Sequence, residues 1–181
     1  MIELQEKSAG QAAKEAGVPF HVKKIGHVVY RASDIERTAK FWTEVMGFKE
    51  SDRNEQGMVF LRCQSDHHTV ALSQAAPDAK LASGKDRSSL GIDHFAMEVE
   101  SVEDLFRARD FLKSKGVTIV MEGRRGPGSN MGVEFLDPDG YMLELYVGME
   151  QIGWEGKSRP PQFWRRAKSL EEAVSNPCPA E

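Results

Sequence analysis

One strand–helix pattern occurs twice in this chain, and no other feature of the sequence narrows the fold as far. Ile25-Gly26-His27-Val28-Val29-Tyr30, then Ser33-Asp34-Ile35-Glu36 and an amphipathic stretch closing at Gly47-Phe48, is echoed by Ile92-Asp93-His94-Phe95-Ala96-Met97, then Ser101-Val102-Glu103-Asp104 and a stretch closing at Gly116-Val117. Such a repeat is one supersecondary unit used twice. A unit of about fifty residues can hardly bury a core alone, so the two are expected to pair their sheets.

Each half opens on strand-like alternation, and each then carries a serine with an acid three residues on, the arrangement that satisfies the first free N–H groups of a helix. Helices are therefore predicted from Ser33 and Ser101. Ile35, Ala39, Trp42 and Met46 line one face of the first, Leu105, Ala108 and Leu112 one face of the second. Gly47 and Gly116 end them. Strands follow at 57–63 and 67–74 in the first half, and at 118–121, 132–136 and 141–147 in the second. The fold class is α+β, with the order βαβββ in each module.

The modules occupy 23–74 and 90–147, joined by a polar linker at 75–89. An N-terminal extension, 1–22, precedes them. A tail, 148–181, carries Trp154, Phe163 and Trp164, too much aromatic area to leave in water, and a second helix start at Ser169-Leu170-Glu171-Glu172. It is expected to dock on the domain or on a partner subunit.

Among 181 residues, 28 acids against 24 bases give a formal charge of −4 with the signs interspersed. That balance offers no footprint for nucleic acid or an anionic membrane. No run approaches the roughly 18 apolar residues of a membrane span, and the first residues lack a signal-peptide pattern. The expectation is a cytoplasmic protein acting on small molecules. Two cysteines, Cys63 and Cys178, make neither a disulfide framework nor a cysteine-based zinc site.

Polar side chains are costly on the buried face of a strand, which singles out His27, His94 and Glu144. Strand parity puts His27 on a face with Ile25 and Val29, His94 with Ile92 and Ala96, and Glu144 with Met142 and Tyr146. If the paired sheets close around a cleft, the three converge as a two-histidine, one-carboxylate site with open positions, suited to Fe(II) or Mn(II).

At these residues the chain resembles the vicinal oxygen chelate superfamily, which includes glyoxalases, bleomycin resistance proteins and extradiol dioxygenases. The resemblance covers residues 23 to 147 and implies two paired βαβββ modules forming a U-shaped metal-binding cleft. Leu136-Asp137-Pro138-Asp139-Gly140-Tyr141-Met142-Leu143-Glu144 is similar to the superfamily's closing strand, where a DPxG turn precedes the glutamate ligand. The stretch from Phe60 to Leu72, with His67-His68-Thr69, resembles the type I extradiol dioxygenases. Glyoxalases are less similar, because their fourth ligand would fall near Ala71, which cannot coordinate.

The dioxygenase resemblance implies an acid–base role for the second histidine of the pair, His68. Strand parity counted from Ala71 favours His67 and motif alignment favours His68; the assignment goes to His68. The chain departs from the pattern where a tyrosine would stand, at Glu134, and where a further histidine would stand, at Arg124-Arg125-Gly126-Pro127-Gly128. Tyr146 offers a substitute phenol or is simply packed. Arg124 and Arg125 meet a substrate carboxylate or are plain surface arginines, and Gly126, Gly128 and Gly132 suggest a mobile loop.

The resemblance thus implies a metal-dependent extradiol dioxygenase cleaving a catecholic aromatic substrate with O2. It would use Fe(II), with Mn(II) or another divalent metal as alternatives, and would form a homodimer. Two rivals share the fold: a manganese-dependent thiol transferase resembling the fosfomycin-resistance enzymes, and a non-catalytic small-molecule binding module.

Overall fold

Parallel strand pairs need a crossover, and both repeats supply one. In the computed structural model, which describes residues 22–80, 91–153 and 156–179 together with residues 8, 11, 15, 17, 19 and 20, β1 (Val28–Ala32) is followed by α1 (Ile35–Lys40), a π-helical stretch (Phe41–Val45), β2 (Lys49–Arg53), β3 (Val59–Arg62) and β4 (Val70–Gln74). The second module runs β5 (Phe95–Glu98), α2 (Val102–Ser114), β6 (Ile119–Gly123), β7 (Met131–Leu136) and β8 (Met142–Val147). A 3-10 turn at Pro161–Phe163 and α3 (Leu170–Ser175) complete the chain. The two sheets have the orders β1-β4-β3-β2 and β5-β8-β7-β6. β1 lies parallel to β4 and β5 parallel to β8, with the other pairings antiparallel. The architecture is α+β, two βαβββ modules.

Four local expectations change. β1 and β5 begin one residue after their histidines, so His27 and His94 stand at strand entrances rather than inside strands. β4 begins at Val70, leaving His67 and His68 in the turn before it. β2, Lys-Glu-Ser-Asp-Arg, has no apolar alternation to reveal it, being the polar edge of its sheet. The cap of α1 is Asp34, whose carboxylate accepts the Arg37 N–H at 3.0 Å, because Ser33 gives its hydroxyl to Asp139 of the other module. Ser101 caps α2 as expected. Gly47 and Gly116 both take φ of 72°, the left-handed conformation that ends a helix at glycine.

The core forms between the sheets and their helices. Trp42 is fully buried, its ring 4.6 Å from Phe48, beside Val59, Leu61 and Leu72; Leu105, Leu112, Val133, Phe135 and Leu143 do the same in the second module. The Trp42 indole N–H donates to Tyr30 Oη at 2.6 Å, and Tyr30 donates to Asp137 Oδ2 at 2.9 Å. The turn before β8 is thereby tied to β1. Asp139 in the same turn accepts from the Ser33 N–H and hydroxyl, Arg37 and Thr38. The DPDG segment is thus also the clasp between modules.

After β8 the chain returns along β6. Arg124 and Ala167 exchange backbone hydrogen bonds, both at 3.0 Å, and Leu170 and Ala173 are buried against the second module. Trp164 packs over Gly126, where a Cβ would meet its ring at 2.8 Å. Close approach, not mobility, explains that glycine. Phe163 stays exposed. Trp154, residues 81–90 of the linker and most of the N-terminal extension lie outside the described residues.

Candidate metal centre

Backbone register makes the two modules directly comparable. Ala96 on β5 faces Glu144 on β8, as Val29 on β1 faces Ala71 on β4. The carboxylate of the second module therefore has a buried alanine as its counterpart, and the first module has no acid at that register. His94 and His27 stand two residues before Ala96 and Val29, equivalent to one another.

In the second module the expected pair is formed. His94 Nε2 lies 3.2 Å from Glu144 Oε2, and His94 Nδ1 lies 3.0 Å from Asp93 Oδ2. Asp93 holds the ring at Nδ1 and leaves Nε2 turned to Glu144, the orientation in which a carboxylate backs a metal-bound imidazole. The Glu144 side chain is 12% exposed and that of His94 34%. Burial raises the Glu144 carboxyl above its ordinary range; the His94 ring opposes the shift, while Glu134 adds to it. Asn130 donates to Glu144 Oε1 at 3.3 Å.

Gly132, read both as the start of a strand and as part of a mobile loop, lies inside β7, and a Cβ there would overlap Glu144 Oε1. Its missing side chain makes room for the carboxylate. Only the β7–β8 register reveals this.

In the first module His27 lies with its ring 4.6 Å from that of His68, which also meets Phe60 at 5.1 Å. His68 Nδ1 is 3.1 Å from His67 Nδ1. Desolvation first, then the neighbouring His27 and His67, lowers the pKa of His68. His67 is 60% exposed and its Nε2 is 4.0 Å from Asp52. Among the described residues no three His, Cys, Asp or Glu side chains stand together closely enough to hold one ion. His94 and Glu144 meet, and His27 is engaged with His68.

The His94–Glu144 pair is of the donor types that suit a divalent first-row ion. It offers imidazole nitrogen and carboxylate oxygen, an orienting carboxylate behind His94, and space cleared by Gly132.

The two arginines of the 124–128 loop separate cleanly. Arg124 is buried and gives its guanidinium to the carbonyls of Ser129, Arg165, Ala173 and Asn176. Arg125 forms a two-pronged pair with Glu134, Nε to Oε1 at 2.6 Å and Nη2 to Oε2 at 2.5 Å. Glu134 faces Glu144 across β7 and β8. Tyr146, two residues beyond Glu144, has its phenol pKa raised by burial first, then by Glu98 and Glu144.

The model of the Glyoxalase/Bleomycin resistance protein/Dioxygenase superfamily matches residues 24–145, both modules with their linker. The chain belongs to this superfamily. Among curated relatives, the 2,2',3-trihydroxybiphenyl dioxygenase of Sphingomonas paucimobilis is 34% identical over 149 residues, covering 77% of this chain and 48% of the relative. A probable lactoylglutathione lyase of Vibrio parahaemolyticus is 29% identical over 144 residues, covering 74% of this chain and 97% of that protein. The chain spans about half the length, or less, of the dioxygenases it matches. Among solved structures, the glyoxylase/bleomycin resistance protein/dioxygenase domain from Frankia sp. EAN1pec has a TM-score of 0.58 at 21% identity, covering 70% of this chain and 98% of that domain. That likeness shows the shared superfamily fold. No described helix is long and apolar enough to cross a membrane.

Proposed function

We propose that this superfamily member is a metal-dependent extradiol-type dioxygenase that opens a catecholic ring with O2. His27, His94 and Glu144 are the ligands of this reading and His68 its acid–base residue. The observation that carries it is the juxtaposition at the strand entrances: a His94–Glu144 pair at 3.2 Å in one module, and a His27–His68 pair at 4.6 Å in the other. The name of the Sphingomonas relative supports the choice of reaction. A lyase reading lacks the fourth donor, since Ala71 stands at the register position of Glu144.

Bound Fe(II), with Mn(II) or another divalent ion as alternative, would supply chelation of both catechol oxygens and a position for O2 on the same centre. The chain's own contribution is placement and proton handling. Asp93 holds the His94 ring so that Nε2 is available. Gly132 and Asn130 fix where the Glu144 carboxylate sits. Desolvation and its histidine neighbours lower the His68 pKa, which favours the unprotonated ring that can take a proton from a catechol hydroxyl at Nε2, its Nδ1 being turned to His67. Holding both reactants beside that base is the larger part of the rate gain.

The reading includes a homodimer.

Elemental analysis of protein purified without added metal, followed by anaerobic titration with catechols, tests the assignment. Near-stoichiometric iron or manganese and an optical change on catechol addition are expected, both lost in Glu144→Ala. Loaded metal that turns over thiol and epoxide but ignores catechols would favour the transferase. A wild type that takes up no metal would leave the binding module.

A further inference from the structure

Glu134 stands where the dioxygenase pattern has a tyrosine, and it is not an idle replacement. Its side chain is 3% exposed, on the strand next to Glu144 and at the same register, while its partner Arg125 is 63% exposed. A buried acid that directly faces a metal-site carboxylate would repel it, and the two-pronged bond from Arg125 cancels that charge. The bond also fixes the guanidinium. Nε and one Nη2 hydrogen are spent on Glu134, so the Nη1/Nη2 edge remains, with one unspent N–H on each nitrogen. That edge has the spacing of a carboxylate or another planar pair of anionic oxygens. Arg125 is bonded to Glu134, which shares a sheet face with its register partner Glu144, and so stands beside the same cleft.

We propose that the free edge of Arg125, held in place by Glu134, binds a carboxylate carried by the substrate of the His94–Glu144 site. The inference rests on the ring-cleavage reading for its chelating catechol, and it adds the substrate class: a catechol bearing an acidic substituent rather than a neutral one. Preorganisation is the physical basis. A free arginine would lose rotamer freedom on binding, whereas this one has already been ordered by Glu134. Arg124 takes no part, since its donors are committed to backbone carbonyls.

The test compares anaerobic dissociation constants of catechol, 2,3-dihydroxybenzoate and 3,4-dihydroxybenzoate on the metal-loaded protein. At least one carboxylated ligand should bind about tenfold or more tighter than catechol, the gain expected of one good charge-assisted pair. Arg125→Met should abolish the preference. Because that variant leaves Glu134 buried without a partner, Arg125→Lys provides the folded control. An ammonium can neutralise Glu134 but has no second edge to offer, so most of the preference should still vanish. Catechol binding with no carboxylate preference, or a preference that survives in Arg125→Lys, would overturn this inference and leave the ring-cleavage reading standing. Carboxylate binding that depends on Arg125, without catechol binding, would do the reverse. Failure of every ligand on metal-loaded protein would overturn both.

Discussion

Glu144 and His68 owe their positions to different neighbours, and substitutions separate their roles. Gly132→Ala puts a methyl group where Glu144 Oε1 lies, so the carboxylate must move. Metal affinity should fall by about 10–100-fold, the usual cost of disturbing the groups that support a ligand, with the melting temperature nearly unchanged; metal-competition titration reads it. His68→Gln should keep metal and catechol binding but slow ring opening by about 10²–10⁴-fold, whereas His67→Gln, at an exposed position, should do much less. Single-turnover kinetics distinguish them, and equal losses would mean that the two histidines act jointly. At this scale repetition singled out His27 and His94 and strand parity singled out Glu144, and of the three His94 and Glu144 are in contact. The sequence could not show the Arg125–Glu134 pair or the purpose of Gly132, because both depend on which residues of β6, β7 and β8 face one another.

Between elements, the turn before β8 gives the clearest pH signature. Burial alone would raise the Asp139 carboxyl, but hydrogen bonds from Ser33 and Thr38, with Arg37 nearby, hold it below its ordinary value. Asp137 is pushed the other way, by burial, against the hydrogen bonds it accepts from Tyr30 and from the Tyr141 and Asp139 N–H groups. A lowered folded-state pKa means stability that is present above the unfolded value and lost as pH falls through the folded one; a raised value means a penalty relieved as pH falls. Asp139→Asn should therefore lower stability at pH 7 and flatten the acid limb of the melting curve below about pH 4, while Asp137→Asn should steepen the loss of stability just above about pH 4, where the raised carboxyl takes up its proton. Thermal melts across that range give both signs. The DPDG segment was recognisable as a turn and as the marker of the ligand strand, yet its function as a clasp was not. Ser33 read as the helix cap, and the presence of Asp139 across the module boundary draws its hydroxyl away and leaves the cap to Asp34. β2 was invisible for a related reason, since a polar edge strand has no hydrophobic period to detect.

Over the whole molecule, the duplicated modules were legible because a repeated unit must solve the same packing problem twice, and the 3.6- and 2-residue periods of its apolar positions survive in both copies. The return of the tail to β6 was only half legible. Its apolar content called for docking, but the anchor is Arg124, whose guanidinium reaches the carbonyls of Arg165, Ala173 and Asn176. Removing residues 150–181 takes away those three acceptors and uncovers the surface under Leu170 and Ala173. The truncated protein should melt lower, because the apolar surface under Leu170 and Ala173 returns to water, and should aggregate more readily. An unchanged melting temperature and hydrodynamic size would show that the tail contributes nothing. The central claim is that this paired-module cleft opens catechol rings, and oxygen uptake tests it most directly. Protein loaded anaerobically with Fe(II), mixed with catechol or a dihydroxybenzoate and then exposed to O2, should consume oxygen equimolar with substrate as a yellow ring-opened product appears, and Glu144→Ala should do neither. Iron-loaded protein that binds these ligands but consumes no oxygen, or consumes it equally well as Glu144→Ala, would contradict the account.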